Sequence, residues 1–120
     1  MTREEFDRFC AKLPAVTRVE QWGGASVWKI GGKIFALCSN WGKDTKDAVS
    51  FKCSDFSYTV LCEQEGVVPA PYLARAKWVQ VRDPDALADV EIAKYIEAAY
   101  NIVAAKLTRA QRKALGIEKQ

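Results

Sequence analysis

Basic side chains and one aromatic ring are predicted to share one face of a β-sheet, where they could bind nucleic acid. The four residues are Lys29, Lys52, Trp78 and Gln80, and each alternates along its strand with apolar neighbours. Lysines neutralise phosphates, and an aromatic ring stacks on bases. The alternative is that both lysines are solvated surface charges, which are common, and that Trp78 packs against the helices.

Three further cations adjoin these strands in the sequence. Lys33 follows a predicted hairpin turn, whereas Arg75 and Lys77 precede the strand that begins at Trp78. The predicted nucleic-acid site therefore comprises Lys29, Lys33, Lys52, Arg75, Lys77 and Trp78, which we expect to form one exposed patch. The basic segment from Lys106 to Lys119 is the next candidate if this patch is not the site.

The chain contains no histidine. That absence excludes a Ser-His-Asp triad, a Cys-His dyad and histidine-based zinc or iron sites. There is also no Walker motif and no dinucleotide-binding glycine fingerprint. We therefore expect a protein that is not an enzyme and that uses no cofactor and no metal. A less favoured alternative is a small-ligand or enzymatic pocket near Trp41, Tyr72 and Arg75, built on carboxylate, lysine or tyrosine chemistry.

Composition is typical of a single cytoplasmic domain. The 120 residues suffice for one core, and the net charge is only +3. No apolar run reaches the ~18 residues of a membrane span, and the first residues lack a secretory signal. The four cysteines show no Cys-x-x-Cys spacing and are expected to be reduced packing residues. We expect one domain over residues 1–120, with a short basic helix and tail from about residue 108.

The pair Gly31-Gly32, set between two apolar runs, is the strongest structural signal. It predicts a type I′ hairpin turn, because glycine readily adopts the positive φ that this turn requires. The expected register pairs Ile30 with Lys33 and Trp28 with Phe35. One face would then carry Trp28, Ile30, Phe35 and Leu37, and the other Val27, Lys29, Ile34, Ala36 and Cys38.

Capping signals and apolar spacing predict the remaining elements. Helices are expected from Thr2 to Pro14, from Ser54 to about Glu65, from a cap at Asp89, and from Thr108 to Gly116. Val67–Pro71 is expected to be an extended linker, because its two prolines disfavour a helix or a central strand. The order α-β-β-β-β-α-β-α-α predicts an α+β fold, a two-layer twisted antiparallel sheet packed against helices.

Several segments of the chain resemble the MmcQ/YjbR family of small bacterial proteins. They are Glu4-Glu5-Phe6 with Leu13-Pro14, Glu20–Gly23, Val27–Ala36, Val49–Cys53, Pro71–Val79 and Ala99–Leu107. The resemblance implies a CyaY-like fold and a DNA-binding protein. Many members carry a histidine before the tryptophan that corresponds to Trp78, and this chain has Lys77 there. Frataxin-like iron association needs an acidic ridge, which the mixed charges of the first helix do not provide.

Two functional classes follow from these observations. The resemblance and the lysines favour a nucleic-acid-binding module whose partner is DNA. The rival is a protein-interaction or dimerisation module that uses the second sheet face, where Val27, Ile34, Ala36 and Cys38 would form an apolar patch. The expected partners are therefore DNA or a second copy of the chain, and no membrane.

Overall fold

A computed structural model describes residues 1–42 and 45–117 and shows the predicted α+β architecture. The helices are α1 (Arg3–Cys10), α2 (Asp55–Cys62), α3 (Asp89–Ala104) and α4 (Arg109–Leu115). The strands are β1 (Val16–Gln21), β2 (Ala25–Ile30), β3 (Lys33–Ser39), β4 (Ala48–Lys52), β5 (Val67–Pro69) and β6 (Trp78–Val81). A short 3₁₀ helix at Ala74–Ala76 precedes β6. The predicted order of elements is confirmed, with β5 as an additional short strand.

The six strands form one antiparallel sheet in the order β1-β2-β3-β4-β6-β5. β5 lies within the segment expected to be a linker, and it pairs with β6 at the edge of the sheet. An edge strand tolerates Pro69, because the missing N–H can face away from the ladder. The prolines therefore exclude a central strand here but do not exclude an edge strand.

Capping residues set most of the helix starts. The Thr2 hydroxyl accepts the Glu5 N–H at 3.1 Å, and the Glu5 carboxylate accepts the Thr2 N–H at 2.8 Å. α3 differs from expectation, because Ala88 rather than Asp89 is its cap residue. The Ala88 N–H donates to Oε1 of Glu91 at 3.1 Å. The backbone N–H of the cap residue is therefore paired with a side chain of the first helical turn.

One face of the sheet, here called the first face, packs against α1 and α3 and forms the main core. Its largest fully buried side chains include Phe6, Ile30, Phe35, Phe51 and Ile96. One face of α3 is buried from Ile92 to Val103, and Leu107, just beyond the helix, is buried as well. These residues pack the first face against the helices, so the opposite face is the one that remains for loops and solvent.

A β-bulge in the β2–β3 hairpin changes the register that the turn predicts. Gly31 and Gly32 have φ values of 58° and 78°, and Ile30 pairs with Lys33 as expected. Farther from the turn, however, Trp28 pairs with Ala36, so Phe35 is the extra residue of β3. The expected Trp28–Phe35 pairing is therefore wrong, although both side chains are buried in the first-face core.

The bulge also reverses the alternation of side chains along the second half of β3. Ala36 and Cys38 were expected on the second face, but they pack in the first-face core. Leu37 was expected on the first face, but it packs against Val27 on the second face. One inserted residue shifts a period-two pattern by one position, which moves every later side chain to the opposite face.

All four cysteines are free thiols, and three of them, Cys10, Cys38 and Cys53, are buried. Their role as packing residues is thus as predicted. Within residues 1–42 and 45–117, no cluster of acidic and cysteine side chains could hold a metal ion. No helix in that part of the chain combines the length and the apolarity that crossing a bilayer requires.

Candidate nucleic-acid interface

The topology gathers cations at the end of the sheet that carries the Gly31-Gly32 turn. In an antiparallel sheet, β2 ends, β3 begins, β4 ends and β6 begins at this same end. The cations there include Lys29, Lys33, Lys52, Arg75 and Lys77, which were predicted, and Lys106, which follows α3. We call these six residues the lysine end.

Lys52 occupies the centre of the lysine end and interacts with several of its members. Its ammonium donates a hydrogen bond to the carbonyl oxygen of Ala76, next to Arg75. Partial burial lowers the pKa of Lys52, and the nearby charges of Lys106 and Lys77 lower it further, whereas the carboxylate of Asp55 raises it. Lys106 and Lys77 therefore both lie close enough to Lys52 to repel its charge.

The remaining cations lie on the strands and short connecting segments around Lys52. Lys77 has a left-handed backbone conformation (φ 63°), and its ammonium lies 4.9 Å from the ring centroid of Tyr58. Lys33 and Arg75 are exposed, and Lys29 is half-buried on β2. Lys106 is exposed beside Leu107, whose side chain packs against Gly31. Among the described residues, none of the lysines in this group forms an ion pair.

Trp78 lies at the predicted position but is not exposed. It pairs with Lys52 across β4 and β6, which confirms the shared face, yet only 4% of its surface is accessible. Ala70 and Leu73 cover its ring, because the segment between β5 and β6 folds back over the second face. Trp78 therefore does not pack against the helices, and it is not open to solvent. Its ring has no free face that could stack on a base.

Gln80, the fourth residue of the predicted face, is also fully buried. Its Nε2 donates to the carbonyl oxygen of Trp41 at 2.8 Å. Its Oε1 accepts from Nη2 and Nε of Arg82 at 2.8 and 3.0 Å. Gln80 thus anchors the loop that follows β3 onto the second face, a role that its sequence position alone does not indicate.

The apolar patch of the rival prediction does not form. Ala36 and Cys38 lie on the first face, and Val27 is fully buried beneath the loops that cover the second face. Only Ile34 of that group is partly exposed. The centre of the second face is therefore covered. The sequence had not indicated whether this face would be open or covered.

Acidic residues collect at the opposite end of the sheet. They are Glu20 near the end of β1, Asp47 before β4, Glu65 before β5, and Asp83 and Asp85 after β6. Arg3 bridges Glu20 at 3.5 Å and Asp47 at 3.7 Å. The lysine end in turn holds Asp55, whose carboxylate raises the pKa of Lys52, so the net charge of +3 is distributed unevenly between the two ends rather than fully separated.

The sequence placed Lys106 in a basic tail, separate from the sheet lysines. The 16 residues of α3 extend for about 24 Å and bring Lys106 back beside Lys52. Only the length and direction of α3 could have signalled this proximity. The other end of the basic segment, Lys119, lies outside the described residues.

A cleft of about 640 Å³ lies elsewhere, between the turn after α1, α3 and α4. Tyr100 lines it and donates a hydrogen bond from its hydroxyl to the Pro14 carbonyl at 2.6 Å. Burial raises the pKa of that phenol. None of the predicted site residues lines this cleft.

Comparisons with known proteins give a family and a shared fold. The family model YjbR matches residues 11–102. A solved Deinococcus radiodurans protein with a DUF419 domain superposes with a TM-score of 0.83 at 21% identity, covering 97% of this chain and 88% of that one. A Pseudomonas syringae protein gives 0.70 at 20% identity, covering 86% and 99%. The comparison with curated proteins finds no match.

Proposed function

The chain belongs to the YjbR family, and we propose that it is a non-enzymatic nucleic-acid-binding protein whose lysine end contacts the phosphates of DNA. The sequence resemblance implies DNA binding, and this proposal assigns that property to one location on the molecule. That location keeps five of the six residues in the predicted patch, adds Lys106 and excludes Trp78.

The observation that carries the proposal is the concentration of cations around Lys52, which outnumber the nearby carboxylate of Asp55. Partial burial lowers the pKa of Lys52, and the charges of Lys106 and Lys77 lower it further against the opposing effect of Asp55, so the folded chain holds like charges near one another. A phosphate placed among the three ammonium groups would remove that repulsion and release condensed counterions from the nucleic acid.

The chemistry of the lysine end favours binding to the backbone over reading of sequence. Its donors are flexible ammonium groups and one exposed guanidinium on Arg75. Contacts of this kind position a protein on DNA but carry little sequence information. We therefore expect similar affinity for unrelated sequences and strong weakening by salt.

The test is a titration of a fluorescently labelled DNA duplex, repeated over a range of salt concentrations. The double variant Lys33→Gln/Lys106→Gln removes two exposed cations of the lysine end and leaves the Lys52 hydrogen bond to Ala76 intact. We expect weaker binding and a salt slope reduced by about two, one for each lost phosphate contact.

The matched control is Lys46→Gln/Lys94→Gln, which makes the same change in net charge at exposed positions away from the lysine end. Lys94 lies about 18 Å along α3 from Lys106. The control should bind nearly as the parent protein does. Equal weakening in both double variants, or no binding of the parent protein at low salt, would remove the proposal.

A further inference from the structure

Three aromatic side chains from three different loops stand in a row on the second face of the sheet. The ring centroids of Trp22 and Trp41 are 5.6 Å apart, and those of Trp41 and Tyr72 are 5.5 Å apart. Trp22 is 50% exposed and Tyr72 is 89% exposed. We call these residues the aromatic row. A row this exposed is unusual, because large rings are normally removed from water.

The backbone presents the two outer rings at a conformational cost. Trp22 has φ 53° and Tyr72 has φ 69°, a left-handed region that bulky residues rarely occupy. Such strain persists where the surrounding structure enforces it, and it clusters at binding sites. The backbone of the central residue is held in another way, since the carbonyl of Trp41 accepts a hydrogen bond from the buried Gln80.

Cations flank the aromatic row. The Arg82 guanidinium lies against the loop after Trp41, because a Cβ placed on Gly42 would be 2.4 Å from its Nη2. Arg75 is exposed three residues beyond Tyr72. Lys29 lies on the same face of the sheet. It is four residues along β2 from Ala25, which places it about 13 Å from the end of the turn that holds Trp22. Glu20 precedes Trp22 and Asp47 follows the loop of Trp41, so the flat rings rather than the local charge define the partner of this surface.

We infer that the aromatic row is a base-stacking platform and that this protein binds single-stranded nucleic acid in preference to a duplex. This inference rests on the proposed function, because the phosphates of the same strand would continue to the lysine end. A single strand exposes both faces of its bases, whereas a duplex hides them in its stack.

The test compares a DNA strand of about 16 nucleotides with the corresponding duplex, for the parent protein and for two variants. The parent should bind the single strand more tightly. Trp22→Ala and Tyr72→Ala should each weaken single-strand binding by on the order of tenfold and leave duplex binding nearly unchanged. Tyr72→Phe keeps a ring and should retain affinity.

Two controls make the readout specific to the aromatic row. Phe56→Ala removes another ring, 78% exposed on α2, and should not change binding. Trp28 and Trp78 are buried, so quenching of tryptophan fluorescence by the single strand should arise from Trp22 and Trp41. The Trp22→Phe variant should therefore show reduced quenching.

The outcomes separate this inference from the proposed function. If Lys33→Gln/Lys106→Gln weakens binding but the aromatic variants do not, the stacking platform is wrong and the phosphate site stands. If no nucleic acid binds, both fall. If the aromatic variants instead lower the molar mass of the protein in solution, the row is a contact between copies of the chain, and the inference is overturned.

Discussion

The Asp7 carboxylate of α1 accepts the indole N–H of Trp28 at 2.9 Å, which ties the first helix to the centre of the sheet. The same oxygen, Oδ1, accepts the hydroxyl of Ser26 at 2.6 Å. Arg18 completes the network by donating from Nε to the Ser26 hydroxyl at 2.7 Å. One side chain of the helix thus satisfies two buried polar groups of β2.

Replacing Asp7 should therefore destabilise the fold. Asp7→Ala leaves the Trp28 and Ser26 donors without their acceptor, and we expect a loss of about 1–3 kcal/mol in the free energy of unfolding. Asp7→Asn keeps an acceptor oxygen and should lose less. Urea denaturation measures both. Glu4→Ala, an exposed change on the same helix, should cost about 0.5 kcal/mol or less; a similar loss there would contradict a specific role for Asp7.

Phe35 should be among the most sensitive core positions although it occupies a bulge. It is fully buried, and its ring meets that of Tyr100 edge-on at 5.4 Å. Phe35→Ala should cost about 3–5 kcal/mol, because a large apolar contact is replaced by a cavity. Phe56→Ala makes the same chemical change at an exposed position and should have little effect. A loss below about 1 kcal/mol for Phe35→Ala would show that the bulge relaxes to fill the space.

Local signals in the sequence predicted the elements well, because helix caps and turns depend on neighbouring residues. Thr2 with Glu5, and Gly31 with Gly32, are satisfied by atoms within a few residues of each other. The bulge at Phe35 could not be predicted in this way. It depends on packing against α3 across the sheet, and no residue type nearby requires it.

The sequence predicted which cations belong to the candidate site, but it did not predict which of the site's side chains are exposed. Alternation along β4 and β6 correctly placed Lys52 and Trp78 side by side. Whether Trp78 is accessible depends on where the segment through Leu73 folds, and that is a long-range property of the chain. The position of Lys106 likewise depends on the packing of α3. Exposed aromatic residues such as Tyr72 gave no periodic signal, since they lie in loops.

Stability should decrease at alkaline pH because of the buried thiols. Burial raises the pKa of Cys38 to about 12 and that of Cys53 to about 11. An unfolded chain releases these protons near the ordinary thiol pKa of about 8.5, whereas the folded protein retains them. Stability is therefore complete below that value and is lost as pH rises toward the folded pKa values, by up to about 1.4 kcal/mol per pH unit for each thiol.

Urea denaturation in the presence of a reductant, at about pH 7 and about pH 10, measures this effect. The Cys53→Ala variant should show a shallower decrease in stability with pH than the parent protein. Alkylation gives a second measure, because half-buried Cys62 should react before the three buried thiols. An unchanged pH dependence in Cys53→Ala would mean that its thiol does not contribute.

The two glycines of the hairpin turn should respond differently to alanine. Both have positive φ, so either substitution strains the backbone by about 1 kcal/mol or more. A Cβ on Gly32 would meet no atom within 4 Å, whereas one on Gly31 would lie 2.7 Å from Cδ2 of Leu107. Leu107 is buried and cannot move freely into solvent. Gly31→Ala should therefore cost about 1–3 kcal/mol more than Gly32→Ala.

A double-mutant cycle separates the two contributions to the cost at Gly31. Leu107→Ala removes the side chain that a Cβ at Gly31 would strike, so Gly31→Ala should be less costly in that background than in the parent protein. The cost of Gly32→Ala should be the same in both backgrounds. Additive losses for Gly31→Ala and Leu107→Ala would show that the turn and the end of α3 are not in contact, which would also move Lys106 away from Lys52.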